Sequence, residues 1–279
     1  MEKPQVLVCP PNYFFAAEEK INYKINPWMK HGTLINLKRA MAQWMVLCNE
    51  LEKAGCVLNK ISPQQGLSDF VFTANHAFVS DGTALLSRFR HNERRQEEPH
   101  IKQWFLNRYA RALICRIAFM PDDFSFEGQG DAFLMRNIIF AGYGDRKHFR
   151  TDKESHDILR AVFGKEVVSL RLIEPRFYHL DTCFRPINTE VAIYVPDAFD
   201  TDSRYSIEKH VPSPLPISKR DALKFICNAI PIGKRIIFGA EPSVKLAKEL
   251  FSLGFTIVVT ELDEFFKVGG SAQCLVLFL

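Results

Sequence analysis

Residue types used in nucleophilic catalysis cluster in a few short stretches of the sequence. Cys274 follows the glycine-containing run GGSAQ, and HLD places His179 and Asp181 two positions apart. FEGQGD supplies two acids, Glu127 and Asp131, together with two glycines. Any one of these residues is most simply structural, but an acid, a histidine and a cysteine together favour nucleophilic catalysis. The set predicts an enzyme whose attacking atom is the sulfur of Cys274.

The elements that would position these residues form a repeat. Segments with helical periodicity are each followed by a short apolar strand, and two-strand patterns lie between them. The helical segments are 33–54, 96–111, 152–163 and 242–253; the strands after them are 56–61, 113–120, 166–173 and 255–262; the two-strand patterns are 68–87, 130–144, 179–195 and 272–279. This order predicts an α/β fold made of repeated strand–strand–helix–strand units about fifty residues long.

Five copies of the unit fit the chain, at roughly 1–61, 62–120, 121–174, 175–229 and 230–279. The fourth copy fits least well, because 205–222 carries three prolines where a helix is expected. The last two-strand pattern stops after one strand, so we expect 5–10 to supply its partner and close a ring. No linker rich in Pro, Gly or Ser divides the sequence, which predicts a single catalytic domain over 1–279.

Composition excludes several other classes of protein. The 36 basic and 32 acidic residues nearly balance at +4, without the concentrated basic face that a nucleic acid or an anionic membrane would need. The sequence has no signal peptide pattern and no apolar run near the roughly 18 residues of a membrane span. Its seven cysteines include no CxxC pair, which favours free thiols in a reducing cytoplasm. No phosphate-binding loop is present, so we expect no cofactor.

Four motifs together resemble those of a known superfamily. RFYHLDTCF, FEGQGD, SDFVFTAN and the later GGSAQC are similar, in order and spacing, to the guanidine-modifying superfamily, the penteins. This superfamily includes arginine deiminases, arginine dihydrolases, dimethylarginine dimethylaminohydrolases and amidinotransferases. The resemblance covers nearly the whole chain. It implies a five-bladed αβ-propeller of ββαβ units around a pseudo-fivefold axis, which agrees with the repeat.

The resemblance also implies a role for each motif residue. Cys274 would be the nucleophile, His179 the general acid and base, and Glu127 the carboxylate that orients the histidine. The substrate, arginine or a derivative, would be held by residues that include Asp181, Asn75, Asn26, Arg94, Arg146 and Asp131. In this set Asp181 would hold the guanidinium group, whereas Arg94 and Arg146 would bind the amino-acid carboxylate. No metal is implied.

Asn75 separates the subgroups of the superfamily. Deiminases typically carry aspartate at the corresponding position, whereas FTAN resembles the arginine dihydrolases, which convert arginine to ornithine with loss of two ammonia molecules. An amide can both donate to and accept from a neutral ureido group, whereas a carboxylate can only accept. The sequence therefore predicts an arginine dihydrolase.

Other readings of these residues stay open at this point. An arginine deiminase or dimethylarginine dimethylaminohydrolase would stop at citrulline, and an amidinotransferase would pass the amidino group to an amine with the same residues. A binding module without activity is disfavoured, because it would not need a nucleophile. In HLDTC, the alternation of His179, Asp181 and Cys183 could also form a metal-binding face, although three ligands on one flat strand cannot easily surround a tetrahedral ion. The oligomeric state is left open.

Overall fold

The computed structural model describes residues 3–15, 23–109 and 114–279. Its strands are short and spread along the whole chain. They are β1 (Gln5–Val8), β2 (Val57–Lys60), β3 (Ala77–Ser80), β4 (Thr83–Leu86), β5 (Arg116–Phe119), β6 (Ala132–Met135), β7 (Ile138–Tyr143), β8 (Glu166–Arg171), β9 (Phe184–Pro186), β10 (Val191–Tyr194), β11 (Ser213–Pro216), β12 (Ile230–Ile232), β13 (Arg235–Phe238), β14 (Thr256–Val259) and β15 (Leu277–Phe278).

The strands form five separate sheets of three strands each. The sheets are β15-β1-β2, β3-β4-β5, β6-β7-β8, β9-β10-β11 and β12-β13-β14. In every sheet the first strand pairs antiparallel with the middle strand, and the middle strand pairs parallel with the last. A parallel pair needs a crossover connection, which helices supply here. The predicted α/β propeller of five ββαβ units is therefore confirmed.

Helices of 4 to 17 residues connect the strands. They are α1 (Leu37–Lys53), α2 (Asn92–Arg95), α3 (Glu98–Tyr109), α4 (Gly128–Asp131), α5 (Ser155–Phe163), α6 (Thr201–His210), α7 (Lys219–Ala222), α8 (Val244–Ser252) and α9 (Asp263–Phe266). The side chain of Asn36 caps α1 by accepting from Arg39 N, and Gly164 ends α5 with a left-handed φ of 61°. Part of the predicted 96–111 helix and the start of the 113–120 strand lie in 110–113, outside the described residues.

The ring closes where the sequence predicts. β1 lies between β15 and β2, with Val6 opposite Phe278 and Leu7 opposite Leu277. Strand 5–8 therefore supplies the partner that the 272–279 pattern lacks.

Two parts of the repeat differ from expectation. The hairpin of β12 and β13 lies at 230–238, where the sequence analysis identified no strands, because Pro231 and Gly233 interrupt a short apolar pattern. In the fourth unit a helix does form, α6, and the proline-containing SPLP is strand β11. Ser213 N and Ile217 N bond to the neighbouring strand, which leaves the prolines between them facing away from it.

The approach to each inner strand is also different from the prediction of continuous strands. The inner strands are β3, β6, β9, β12 and β15, the first strand of each antiparallel pair. Four of them follow tight turns: the 3-10 turns Ser68–Val71 and Thr73–His76 before β3, α4 before β6, the 3-10 turn Leu180–Thr182 before β9, and the 3-10 turn Gln273–Leu275 before β15. His179 and Asp181 therefore do not share one face of a strand, as HxD alternation predicted, because a 3-10 turn begins between them.

Apolar side chains fill the space between sheets and helices. Leu47 and Leu51 of α1, Leu159 of α5 and Leu246 and Leu250 of α8 are buried against the sheets. No helix in the described parts of the chain is long and apolar enough to cross a membrane.

Candidate active site

A closed polar cavity lies where the turns before the inner strands meet. Its walls are Ile25, Asn26, Asp69, Phe72, Asn75, Arg94, Glu127, Arg150, Tyr178, His179, Val268 and Cys274. The free volume is only about 10 Å³, which is room for about one water molecule. A substrate can enter only if some wall residues move. The five-fold arrangement thus brings together residues that are far apart in the sequence.

Cys274 sits in the turn before β15 and is 2% exposed. Its sulfur donates to Asp181 Oδ2 at 3.1 Å and accepts from Asn228 Nδ2 at 3.1 Å. Asn228 Oδ1 also accepts from Cys274 N at 3.1 Å, so one amide fixes both the sulfur and the backbone of this residue. The sequence analysis missed Asn228, which lies just before the unrecognised strand β12.

The charges around the sulfur favour a neutral thiol in the empty cavity. Burial, and next the charge of Asp181, raise the pKa of Cys274 well above its usual value. Burial likewise raises the pKa of Asp181 to about 7, against the opposing hydrogen bonds from Cys274 and Asn228. Within the described residues, Asp181 Oδ1 is buried without a hydrogen-bond partner. A cation bound beside Cys274 and Asp181 would favour their ionised forms.

His179 and Glu127 form the second pair of the cavity. His179 Nε2 lies 2.8 Å from Glu127 Oε2, and both side chains are buried. Burial alone would raise the pKa of Glu127, but Arg150 and His179 outweigh it and hold that pKa well below its usual value. The ionised carboxylate therefore orients the imidazole. Among the described residues, His179 Nδ1 is buried without a hydrogen-bond partner.

The two glycines of FEGQGD are required by close contacts. Gly128 has φ +56°, and a Cβ there would lie 2.6 Å from Ala77 O. A Cβ on Gly130 would lie 2.2 Å from Asn75 Nδ2. The glycines let the turn that carries Glu127 pack directly on the turn that carries Asn75.

Asn75 and Arg94 are joined on the opposite wall. Arg94 Nη1 donates to Asn75 Oδ1 at 2.7 Å, while Arg94 Nε and Nη2 bind the two carboxylate oxygens of Glu97 at 2.9 and 2.8 Å. Because a guanidinium can only donate, this contact fixes the amide orientation of Asn75. Among the residues that the structure describes, Asn75 Nδ2 is a buried donor with no hydrogen-bond partner.

The structure does not bring Arg146 to the cavity, contrary to the expectation that it binds substrate. Its side chain is 68% exposed and pairs with Asp152 at 3.0 Å. Arg150, four residues later, occupies the cavity wall instead, 2% exposed, where it donates to Ile25 O and lies over the Tyr178 ring. No carboxylate among the described residues lies within ion-pair distance of Arg150. An arginine-rich stretch does not reveal from sequence which arginine faces inward.

Asn26 and Asp131 are placed differently from a simple substrate ligand. Asn26 lines the cavity, but it donates to Val268 O and accepts from the backbone of Trp28 and Met29, so it ties two loops together. Asp131 is buried outside the lining residues. It accepts from Thr151 Oγ1 at 2.6 Å and Leu180 N at 3.0 Å, and lies 3.9 Å from His179 Nε2. Its position is that of a support for the histidine.

Asp69 and Tyr178 complete the wall beyond the predicted ligands. Asp69 accepts from Tyr23 Oη at 2.6 Å, and burial raises the pKa of Asp69 to about 6. The signal for Asp69 was present in the sequence, as an acid in SDFVFTAN beside Asn75. Tyr178 Oη donates to Gly269 O at 2.8 Å and so joins the turn of His179 to the loop before Cys274.

The alternative metal face does not form. Asp181 contacts Cys274, whereas the sulfur of Cys183 points to the carbonyl oxygens of His179 and Leu180 at 3.8 and 3.6 Å. Within the described residues, no three His, Cys, Asp or Glu side chains converge as a metal site.

In this structure a five-bladed ββαβ propeller closes over a cysteine, a histidine–glutamate pair and buried acids. No family model matches the chain. The chain is 40% identical to the bifunctional arginine dihydrolase/ornithine cyclodeaminase of Nostoc over 97% of its own length, but it spans only 37% of that relative. It is 34% identical to the N(G),N(G)-dimethylarginine dimethylaminohydrolase of Mycobacterium tuberculosis, over 96% of this chain and 83% of that protein.

A solved structure is also similar to almost the whole of this chain. The N-terminal domain of ArgZ, a cyanobacterial arginine dihydrolase, was solved as a cysteine-to-serine mutant bound to substrate. It is 37% identical, has a TM-score of 0.90, and covers 99% of this chain and 97% of that one. The chain therefore belongs to the guanidine-modifying superfamily, the penteins, which confirms the family predicted from the four motifs.

Proposed function

We propose that this protein is an arginine dihydrolase, which converts arginine to ornithine, two ammonia molecules and carbon dioxide through a thiouronium on Cys274. Three observations support the proposal. The cavity offers a sulfur beside a carboxylate, a histidine–glutamate pair and an asparagine with a free donor. Two of the relatives described above carry dihydrolase names. The cavity also holds a buried arginine for a carboxylate group.

Arginine would span the cavity with its two charged ends apart. The guanidinium group would lie against Asp181, whose Oδ1 has no other partner. The α-carboxylate would bind Arg150, which is buried without a carboxylate partner among the described residues. Asp69, ionised above pH of about 6, could hold the α-ammonium group. This assigns to Arg150 the role that sequence reasoning gave to Arg146.

The first reaction cycle replaces one guanidinium nitrogen by oxygen. On binding, Cys274 transfers its proton to the histidine–glutamate pair, and the thiolate bonds to the guanidinium carbon. His179 returns the proton to one terminal nitrogen, the C–N bond breaks, and ammonia leaves a thiouronium on the sulfur. Water then adds to that carbon while His179 accepts its proton. The C–S bond breaks, which frees citrulline and regenerates the thiol.

The second cycle needs a site that accepts a neutral ureido group. Asn75 Nδ2 is a buried donor that has no partner in the described part of the chain, so it can donate to the ureido oxygen. Leaving such a donor unpaired costs about 1–3 kcal/mol, which the ureido oxygen would recover. A second water and a second loss of ammonia then give a carbamate, which releases carbon dioxide to form ornithine. This unpaired amide is the observation that favours a dihydrolase over a deiminase.

Product stoichiometry tests the proposal. Purified protein is incubated with arginine, with citrulline and with dimethylarginine, and every product is identified with and without an added amine acceptor. We expect two ammonia molecules and one ornithine per arginine, and turnover of citrulline. One ammonia per arginine with citrulline as the sole end product would make the protein a deiminase. Transfer to the added amine would make it an amidinotransferase.

Substitution of Asn75 tests the residue directly. Asn75→Asp should shift the product from ornithine toward citrulline, because a carboxylate cannot donate to the ureido oxygen. Asn137→Asp, at an exposed hairpin turn, is the matched control and should leave the product ratio unchanged. Ornithine as the main product of Asn75→Asp would contradict this role.

We also propose a cytoplasmic, reducing environment for the protein. All seven cysteines are free thiols in the structure, and a nucleophilic thiol requires reducing conditions.

A further inference from the structure

A second cavity lies at the far end of the same inner strands. Its volume is about 350 Å³. It shares no lining residue with the polar cavity that contains Cys274 and His179, here named the catalytic cavity. The catalytic cavity uses the turns before the inner strands, whereas the second cavity uses the later residues of those strands and their hairpins. Its apolar wall includes Phe78, Val79, Phe133, Met135, Pro231 and Phe278. We call it the back cavity.

Arg185, in β9, is the unusual residue of the back cavity. It is 5% exposed and lies over the Phe133 ring at 4.7 Å. Its side chain makes no hydrogen bond or ion pair with any residue that the structure describes, and within those residues Nε is buried without a partner. Arg185 lines the back cavity, so its guanidinium group borders the open volume. A buried charge without a partner is costly, so this guanidinium is poised for an anion.

The other cation of the back cavity is already paired. Arg136 at the rim donates to Glu190 Oε1 at 2.6 Å and to Thr189 O at 2.9 Å. One free guanidinium fork matches one carboxylate, which it can bind through two parallel hydrogen bonds. A doubly charged phosphate would keep an unpaired charge against a mostly apolar wall. The remaining volume suits a short hydrocarbon group.

We propose that the back cavity is a binding site for a small organic monocarboxylate, whose carboxylate pairs with Arg185 and whose hydrocarbon part packs on the apolar wall.

Arg185 connects the back cavity to the catalytic cavity. It follows Asp181 by four residues, along the turn and strand that also carry His179. Burial raises the pKa of Asp181, and the charge of Arg185 is one of the influences that oppose this rise. An anion bound to Arg185 would neutralise the charge that lowers the pKa of Asp181. A larger fraction of Asp181 would then be protonated. On the proposed function, the bound carboxylate would therefore weaken the binding of arginine.

Thermal unfolding measures the binding without reference to activity. The melting temperature is followed with increasing sodium butyrate, against sodium chloride, sodium phosphate and neutral butyramide at matched concentration. A ligand that binds only the folded state raises the melting temperature with concentration. We expect this for butyrate alone. An equal rise with chloride or phosphate would overturn the choice of a carboxylate, and no rise with butyrate would overturn the site.

Two variants localise the binding. Arg185→Gln removes the charge, and Thr189→Trp fills the rim of the back cavity while Arg185 stays in place. Each variant is compared with itself in chloride, so a change in its own stability does not matter. Both should lose the response to butyrate. A response that persists in both variants would place butyrate elsewhere, for example in the catalytic cavity, and would refute the proposal.

Kinetics test the connection between the two cavities. With butyrate at pH 7, the KM for arginine should rise by about fivefold or more, the lower end of usual coupling factors. Thr189→Trp should show an unchanged KM that no longer responds to butyrate. Butyrate that raises the melting temperature but leaves KM unchanged would refute the connection. If arginine is not a substrate, only the thermal result decides, so failure of the proposed function is distinguishable from failure of the site.

Discussion

Two buried cysteines, Cys183 and Cys274, lie at 3-10 turns that lead into the inner strands β9 and β15, yet they have different surroundings. Burial raises the pKa of both thiols well above the usual value. The sulfur of Cys183 lies 3.8 and 3.6 Å from the carbonyl oxygens of His179 and Leu180. That of Cys274 contacts a carboxylate and an amide and opens on the catalytic cavity. Burial alone therefore does not distinguish the two thiols; the polar side chains around the sulfur of Cys274 do.

The largest expected effect separates the two thiols completely. Cys274→Ser should abolish turnover, because an alcohol cannot form the thiolate that attacks the guanidinium carbon. Arginine binding and thermal stability should be largely retained, since the hydroxyl is smaller and can keep the contacts to Asp181 and Asn228. Initial rates and calorimetric binding of arginine measure the two properties. Activity near that of the unsubstituted protein would show that Cys274 is not the nucleophile.

Glu127→Gln tests the hydrogen-bonded pair of His179 and Glu127, which lines the same cavity as Cys274. The amide keeps the shape but removes the negative charge beside His179. We expect kcat for arginine to fall by about 10²–10⁴, the usual range for general acid–base catalysis. Glu241→Gln, at an exposed position, is the control. A decrease in kcat of less than about tenfold would mean that Glu127 is only a structural neighbour of the histidine.

Asn228→Ala would make the surroundings of Cys274 more like those of Cys183. It removes the donor to the sulfur, and a hydrogen bond to a charged group is worth about 1.5–3 kcal/mol. We expect kcat to fall by roughly 10 to 150-fold and alkylation of Cys274 by iodoacetamide to require higher pH. Asn137→Ala is the control. Slower turnover with an unchanged pH dependence of alkylation would assign Asn228 to folding of the turn rather than to the thiolate.

The pH dependence of arginine turnover tests Asp181, the carboxylate beside the sulfur of Cys274. Because burial raises the pKa of Asp181 to about 7, its ionised fraction falls as the pH drops through that value. The protonated acid holds a cation poorly, so kcat/KM for arginine should decrease by about tenfold per pH unit below pH 7. Neutral citrulline should show a weaker dependence. A decrease that begins only below pH 5 would mean that Asp181 stays ionised in the free protein.

Cys183→Ser should have the smallest effect. Its sulfur contacts only backbone oxygens, and a serine hydroxyl can donate to the same atoms. Activity should remain within about twofold, with a stability loss on the order of 1 kcal/mol from burial of a more polar group. Thermal unfolding and arginine turnover measure both. Loss of activity with unchanged stability would show that Cys183 takes part in the reaction. The expected difference between Cys183 and Cys274 would then be wrong.

The predictable parts of the site were those carried by short motifs. Cys274, His179, Glu127 and Asn75, which line the cavity, were predicted from these motifs and their resemblance to those of the superfamily. Asn228 and Arg150 were not, since each lies in an ordinary-looking segment and acquires its role only when the blades meet. The fold followed from the repeat, except where Pro231 and Gly233 concealed a hairpin.

The closure of the ring has a consequence for how the protein folds. β1 pairs with β15, so the contact that closes the ring joins residues separated by almost the whole described chain. Such a long loop makes closure entropically costly and gives the fold a high contact order. Because Cys274 lies in the turn that leads into β15, the pairing that closes the ring also helps to hold Cys274 beside Asp181 and Asn228. The position of this sulfur therefore depends on one of the most non-local contacts of the described chain.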